Sequence, residues 1–249
     1  MSFFGDIRVI YNMVLRPVRG DSHAQRMDSF YKNQAQDYDD FRRRLLKGRE
    51  SLWQNMLAVE PYQNTTWLDM GGGTGSNLHF FGDAISEVSK VYVVDLAGSL
   101  LEIADSRIHD SGWKNVETAE ADATLFVPKE GSVDNVTFSY SLTMIPDWFA
   151  AIDHAWEVLK PNGKIGVVDF YLSRKFPAEG HVKHNWFKRA FWPAWFAYDN
   201  VFPSHDHVPY LHKKFDLVSF EEHQTRLPWF PFFKMPYYLF IGRKRSQNS

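Results

Sequence analysis

The chain predicts an α/β fold built on a mostly parallel sheet, and three observations carry that expectation. From residue 65 onward, short apolar runs alternate with segments of helical periodicity, the pattern of a parallel sheet covered on both faces. The first run, Trp67-Leu68-Asp69-Met70, opens into Gly71-Gly72-Gly73-Thr74-Gly75. The second, Val91-Tyr92-Val93-Val94, closes on Asp95, about twenty residues after the last of those glycines. Glycines at a first strand-to-helix turn let the backbone approach a ligand, and an acid ending the second strand suits ribose hydroxyls. The layout is that of a nucleotide-cofactor site.

Taken in order, residues 1–20 read as a short amphipathic element. Phe3, Phe4, Ile7, Ile10, Tyr11, Val14 and Leu15 recur at helical spacing, and Pro17 ends it. Such an element either packs on the domain or lies at a membrane interface. Residues 24–59 are helical by pattern, with Phe41, Leu45, Leu52 and Met56 in one stripe and Arg42, Arg43, Arg44, Lys47 and Glu50 facing elsewhere. Pro61 marks the exit. Strands are expected at 66–70, 90–94, 134–139 and 164–170, with helices near 75–86, 97–110 and 148–160. Residues 173–213 break the alternation with aromatics, prolines and five histidines, and read as an insertion over one end of the sheet. Two last strands are expected near 217–226 and 237–243, joined by a loop, Leu227 to Pro236, that holds Trp229, Phe230, Phe232 and Phe233. The expected organisation is a helical lid (1–60), a cofactor-binding core (61–172), an aromatic and histidine-rich insertion (173–215) and a terminal strand pair (216–249) that completes the sheet.

Composition narrows the possibilities. A formal net charge of -2 supplies no global field for nucleic acid, so none is expected as a partner. With no cysteine, disulfides and thiolate metal sites are excluded. No run approaches the roughly 18–20 apolar residues of a membrane span, and Asp6 and Arg8 interrupt the early apolar stretch that a secretory signal would need. The excess is aromatic: 21 Phe, 11 Tyr and 9 Trp, gathered largely into 186–202 and 227–240 rather than into the sheet.

The glycine spacing separates two cofactor classes. A nicotinamide site usually reads G-x-G-x-x-G with a pyrophosphate on the helix N-terminus. Here Gly71, Gly73 and Gly75 give G-x-G-x-G, and Asp69 precedes them by two residues. An aspartate there would repel a pyrophosphate but suit the ammonium of an amino-acid tail. The pattern resembles the first motif of class I S-adenosylmethionine (SAM)-dependent methyltransferases, whose core is a Rossmann-like sheet with an antiparallel terminal strand pair. Further landmarks agree with that resemblance. Asp95, with Leu96 beside it, matches the ribose-binding acid, and Ala121-Asp122-Ala123 matches the adenine-contacting acid after the third strand. Ser139-Tyr140-Ser141 stands where cofactor and acceptor meet, and Leu159-Lys160-Pro161-Asn162-Gly163 matches the family's L-x-P-G-G-type turn. The resemblance implies cofactor contacts from Asp69, Gly71, Gly73, Gly75, Asp95, Leu96, Asp122, Ala123 and Ser139.

The flanks bear on the acceptor. Phe30-Tyr31 with Gln34-Ala35 and Tyr38-Asp39 resembles the lid helix of lipid- and quinone-modifying methyltransferases. Continued through Phe41-Arg42, Leu45-Leu46 and Gly48-Arg49-Glu50, and joined by Asp199-Asn200-Val201 and His207-Val208-Pro209-Tyr210-Leu211, it resembles the N-methyltransferase part of betaine-lipid synthases. That resemblance implies three methyl transfers to the amine of diacylglyceryl-homoserine, giving diacylglyceryl-trimethylhomoserine. It also implies the cytoplasmic side of a membrane (the endoplasmic reticulum in a eukaryote) and a headgroup-installing transferase as partner or fused domain. A quinone-ring or small-molecule methyltransferase, or a non-catalytic module of this fold, are the alternatives.

Methyl transfer from a sulfonium is an in-line displacement in which alignment carries much of the rate. An amine must be neutral to attack, and its growing cationic character favours aromatic faces. Tyr31, Tyr38 and Tyr140 are the candidates for that role. Arg42 or Arg49 would suit a substrate carboxylate, although a solvated helix face explains them as well. His205 and His207 read as substrate contacts, a general base or ordinary loop histidines, and no metal is expected. Trp186, Phe187, Phe191, Trp192, Trp195 and Phe196 recur at helical spacing beside Lys183, Lys188 and Arg189, which fits a helix at a headgroup boundary or one packed in the core.

Overall fold

A computed structural model describes residues 45–59, 62–196, 201–227 and 230–245. Helix α1 (Arg49–Val59) precedes β1 (Thr66–Met70), a 3-10 segment (Ser76–Ser86) kinked at Gly82, β2 (Lys90–Asp95), α2 (Gly98–Ser111) and β3 (Val116–Glu120). Then come β4 (Val133–Ser139), α3 (Trp148–Val158) and β5 (Leu159–Phe170). Helices α4 (Trp186–Phe196) and α5 (His207–Lys214) come next, and β6 (Phe215–Leu227) and β7 (Phe230–Lys244) follow.

Among the described residues these strands form one sheet of seven, in the order β3-β2-β1-β4-β5-β7-β6. The first five pair in parallel, and β7 lies between β5 and β6, antiparallel to both. The expected mostly parallel sheet with an antiparallel terminal pair is therefore present. Strand order reverses at β1 and β4, so a crevice opens outside their carboxyl ends, where ligands bind in sheets of this kind.

Both faces are covered, which is why β1 is buried at every position rather than alternating. On one face α1 inserts Trp53, stacked on Trp67 at 5.4 Å, with Phe81 edge-on to both at 4.9 Å. The helix comes so close that a Cβ on Gly166 of β5 would lie 2.9 Å from the Met56 sulfur. On the other face α3 buries Ala151, Ile152 and Ala155 against Leu68, Val136 and Phe138.

Several boundaries differ from the sequence expectation for identifiable reasons. The helix expected over 24–59 is broken at Gly48, between the helical Leu45 and α1 at Arg49, because Gly48 takes φ +81° and the approach of the Tyr237 ring leaves no room for a Cβ. Residues 24–44 and the element at 1–20 lie outside the described residues. Strand β3 is not among the four strands expected in the middle region. It is an edge strand whose polar Glu117, Thr118 and Glu120 hide the usual apolar signal, Val116 being its one buried residue.

The 227–236 segment is also mostly strand, not loop. Pairing of β6 with β7 runs from Phe215↔Lys244 to Leu227↔Phe230. Only Tyr237–Arg243 also pairs with β5, so β7 has a single neighbour over 230–236, where prolines are tolerated.

Candidate active site

The turn after β1 needs its glycines. Gly71, Gly73 and Gly75 have φ of +72°, +57° and +64°, the left-handed region that a side chain penalises. The N–H groups of Gly71 and Gly72 both donate to Val94 O, at 2.8 and 3.0 Å, which ties the turn to β2. A Cβ on Gly71 would stand 2.4 Å from Ser141 Cβ, so the turn is closed from the β4 side as well.

Asp95 completes the turn. Its Oδ2 accepts from Gly73 N–H and its Oδ1 from Ala97 N–H, both at 2.9 Å. The carboxylate is thus aimed before any ligand arrives, and a carboxylate has room for about four donors. Asp122 is held similarly: one oxygen, Oδ1, accepts from Thr124 N–H at 2.8 Å and from Thr124 Oγ1 at 2.7 Å.

These groups surround a cavity of about 340 Å³ at the crevice, within the usual range for small-molecule sites. Gly71, Gly73, Asp95, Leu96, Asp122 and Ala123 all line it, so six of the expected cofactor contacts converge. A glycine cradle that side chains would fill, two oriented carboxylates and an apolar wall suit an aminoacyl nucleoside such as SAM.

The other expected cofactor residues lie elsewhere. Asp69 is 1 % exposed and sits behind the turn, outside the cavity lining, accepting from Thr137 Oγ1 at 2.7 Å and Asn77 Nδ2 at 3.0 Å. Ser139 is buried beneath the cavity floor, and its neighbour Ser141 lines the cavity instead, with its hydroxyl donating to Met70 O at 2.7 Å. Gly75 begins the 3-10 segment and packs against Leu78 and Ala104.

Tyr140 does reach the cavity. It has φ +58°, its hydroxyl donates to Lys47 O at 2.6 Å, and its ring packs on Phe170 at 4.6 Å. Burial pushes its pKa well up, so it stays a neutral phenol and is no general base.

Both described candidates on α1 and α5 are corrected. Arg49 neither faces solvent nor enters the cavity; it is buried, donating to Ser76 Oγ at 3.2 Å and Asn77 Oδ1 at 3.3 Å. It braces the turn from behind through Asn77 and Asp69. His207 is fully buried, edge-on to Trp148 at 4.7 Å, and burial lowers its pKa to about 3. His205 sits in a second cavity of about 290 Å³ with His181, His212 and Glu222, and its Nδ1 lies 3.0 Å from Ser173 O. Among the described residues no group of His, Asp or Glu is placed to hold a metal. Tyr31, Tyr38 and Arg42 lie outside the described residues.

The burial of His207 has a measurable consequence. A folded-state pKa below the ordinary value means that stability is intact at neutral pH and lost as pH falls from about 6.5 towards about 3. His207→Phe is therefore expected to retain on the order of 2–3 kcal/mol more stability than the parent at about pH 4.5, relative to pH 7. Thermal midpoints at the two pH values check this. Equal acid losses in both proteins would mean that the imidazole titrates as an exposed group.

Two further features shape the site, and only the second has a signal in the local sequence pattern. The wall after β4 is made by Met144, Ile145, Pro146 and Asp147, for which no local pattern stands out. Asp169 has a usable signal, since an acid ends the run Ile165 to Val168 just as Asp95 ends its own. It is fully buried and pushed up to about 7 by burial, against donors from Thr143 N–H (3.1 Å), Thr143 Oγ1 (2.7 Å) and Phe170 N–H (2.7 Å). It thereby anchors the turn that carries the wall.

The ubiE/COQ5 methyltransferase family matches residues 19–195 of the chain. Demethylmenaquinone methyltransferase of Lactococcus lactis is 25% identical over 149 residues, 59% of either chain. Ubiquinone/menaquinone biosynthesis C-methyltransferase UbiE of Vibrio cholerae is 28% identical over 158 residues, 61% of this chain and 60% of the relative. The chain thus spans about three fifths of the length of these relatives.

Similar solved structures include the Haemonchus contortus phosphoethanolamine N-methyltransferase 2 in complex with SAM, with a TM-score of 0.67 at 14% identity, covering 92% of this chain and 61% of that one. The [4+2]-cyclase SpnF has a TM-score of 0.66 at 17% identity, covering 92% and 98%. Identities this low show the fold alone, and a cyclase among them shows how little the fold fixes the reaction. Because the family match spans well over half of the chain and contains the whole cofactor cavity, the chain belongs to the ubiE/COQ5 methyltransferase family.

Proposed function

We propose that the chain transfers the methyl group of SAM to the ring carbon of a demethylated quinol that carries a hydrocarbon tail. What supports this reading is that the family match, residues 19–195, includes the residues lining the cavity, and that relatives of this chain carry the names demethylmenaquinone methyltransferase and ubiquinone/menaquinone biosynthesis C-methyltransferase. When bound, SAM supplies an electrophilic methyl on its sulfonium. The protein's task is to align the acceptor and take its proton. Neutral Tyr140, its hydroxyl donated to Lys47 O, is an aromatic wall and not a base, and both Asp95 oxygens already hold backbone N–H groups. Asp147 lines the cavity from the post-β4 wall; its Oδ1 accepts from Ala150 N–H at 3.3 Å, and its other oxygen is the candidate proton acceptor.

A second reading, threefold N-methylation of diacylglyceryl-homoserine, is motivated by the run Phe30 to Glu50 and by His207 to Leu211. The latter lies beyond the family match. Its case is reduced by the inward positions of Arg49 and His207, which leave Arg42, Tyr31 and Tyr38 to bind the headgroup. Incubation with SAM and either a reduced demethylated quinol or diacylglyceryl-homoserine in mixed micelles separates the two by mass. One added methyl on the quinol is expected. Successive additions to the lipid amine would establish the second reading, and no transfer to either, with SAM bound, would remove both acceptors while leaving the cofactor site.

A further inference from the structure

We infer that the outer face of α4, continued onto β7 by Phe233, docks on an anionic lipid surface; this holds for either acceptor. Helix α4 is apolar on two sides. Trp192 and Phe196 are buried in the core, yet Trp186 and Phe187 on the outside are 77% and 49% exposed. A helix that fills a core with one face ordinarily presents polar residues on the other. The outer rings are also organised: Phe187 stacks on Phe191 at 5.4 Å, and Phe191 stacks on Phe233 at 5.3 Å. The patch therefore joins two elements that are distant in sequence.

Cations accompany it, Lys188 and Lys234 on the two elements themselves and others in the segment that leads into α4. Between Arg174 and Arg189 the chain holds five basic residues and one acid, Glu179, although its net charge is -2. Phe176, 75% exposed, has the ammonium groups of Lys175 and Lys183 at 5.4 and 5.3 Å from its ring. Lys188 and Lys234 come from α4 and β7, and they lie near enough to repel. Among the described residues no carboxylate makes an ion pair with Lys175, Lys183, Lys188 or Lys234.

Unneutralised lysines beside exposed aromatic rings match a headgroup boundary. There the rings enter the acyl edge and the ammonium groups reach lipid phosphates. Protein interfaces, by contrast, are depleted in lysine. No helix among the described residues is long and apolar enough to cross a membrane.

Flotation of the full chain with vesicles tests this. Binding is expected to phosphatidylcholine vesicles containing phosphatidylglycerol, weaker with phosphatidylcholine alone and weaker as salt rises. Trp186→Ser with Phe187→Ser, and separately Lys183→Glu with Lys188→Glu, should each reduce partitioning at least about tenfold while SAM affinity holds. If the serine pair loses SAM binding through misfolding, the charge-reversed pair decides. Absence of flotation by the parent chain would overturn the inference. So would unchanged flotation of variants that still bind SAM, or loss of a dimer in the serine pair without any vesicle binding by the parent.

Discussion

Gly71→Ala is expected to weaken SAM binding roughly a hundredfold while the sheet still folds. The residue holds φ +72°, and its added Cβ would meet Ser141 Cβ at 2.4 Å. A left-handed conformation costs an alanine about 1–2 kcal/mol, and displacing a packed neighbour about 1–3 kcal/mol more. That neighbour cannot yield cheaply, since Ser141 Oγ donates to Met70 O at 2.7 Å. Relief by a shift of the turn would move Gly73 N–H away from Asp95 and so misplace the ribose-facing carboxylate. Titration calorimetry with SAM reads the effect. Gly112→Ala is the control, because Gly112 has a similar φ of +69° but nothing within 4 Å of an added Cβ. It should lose a little stability and keep its SAM affinity; equal losses at both sites would refute the role of the Ser141 contact.

The second large effect is expected at Arg49. Arg49→Ala strands the Asn77 side chain, which bridges Arg49 to Asp69, and leaves buried polar groups without their donor. Such a loss costs about 1–3 kcal/mol. Because Asp69 lies directly beneath the glycine turn, SAM affinity should fall together with the thermal midpoint. Arg49→Lys keeps the charge but lacks the planar fork that reaches Ser76 and Asn77 together, so it should recover only part of the midpoint. A variant with unchanged midpoint but raised KM for the acceptor would instead return Arg49 to substrate binding.

The glycine turn and the acids of the cofactor cavity are legible in the amino-acid sequence. Gly71, Gly73 and Gly75 adopt backbone angles open chiefly to glycine, and Asp95 and Asp122 end or follow strands at the carboxyl edge. Those requirements are local, so they limit residue type at fixed spacing. Where the local requirement is weaker, the pattern misleads. Strand β3 is exposed enough to dispense with an apolar run, and the prolines of β7 look like a loop because nothing local announces that one flank is unpaired.

Sequence by itself therefore determined the fold class and the cofactor. Tertiary structure decided which charged groups face the ligand. Asp69, Asp95 and Asp169 each sit at or near the end of an apolar run, yet only Asp95 lines the cavity. Asp69 is claimed by Thr137, 68 residues away, and Arg49 by Asn77, 28 residues away. His207 looks available in a polar loop and is enclosed by Trp148 and Tyr238. A buried charge or imidazole is governed by the partners and desolvation around it, and those are supplied by elements far off in the chain.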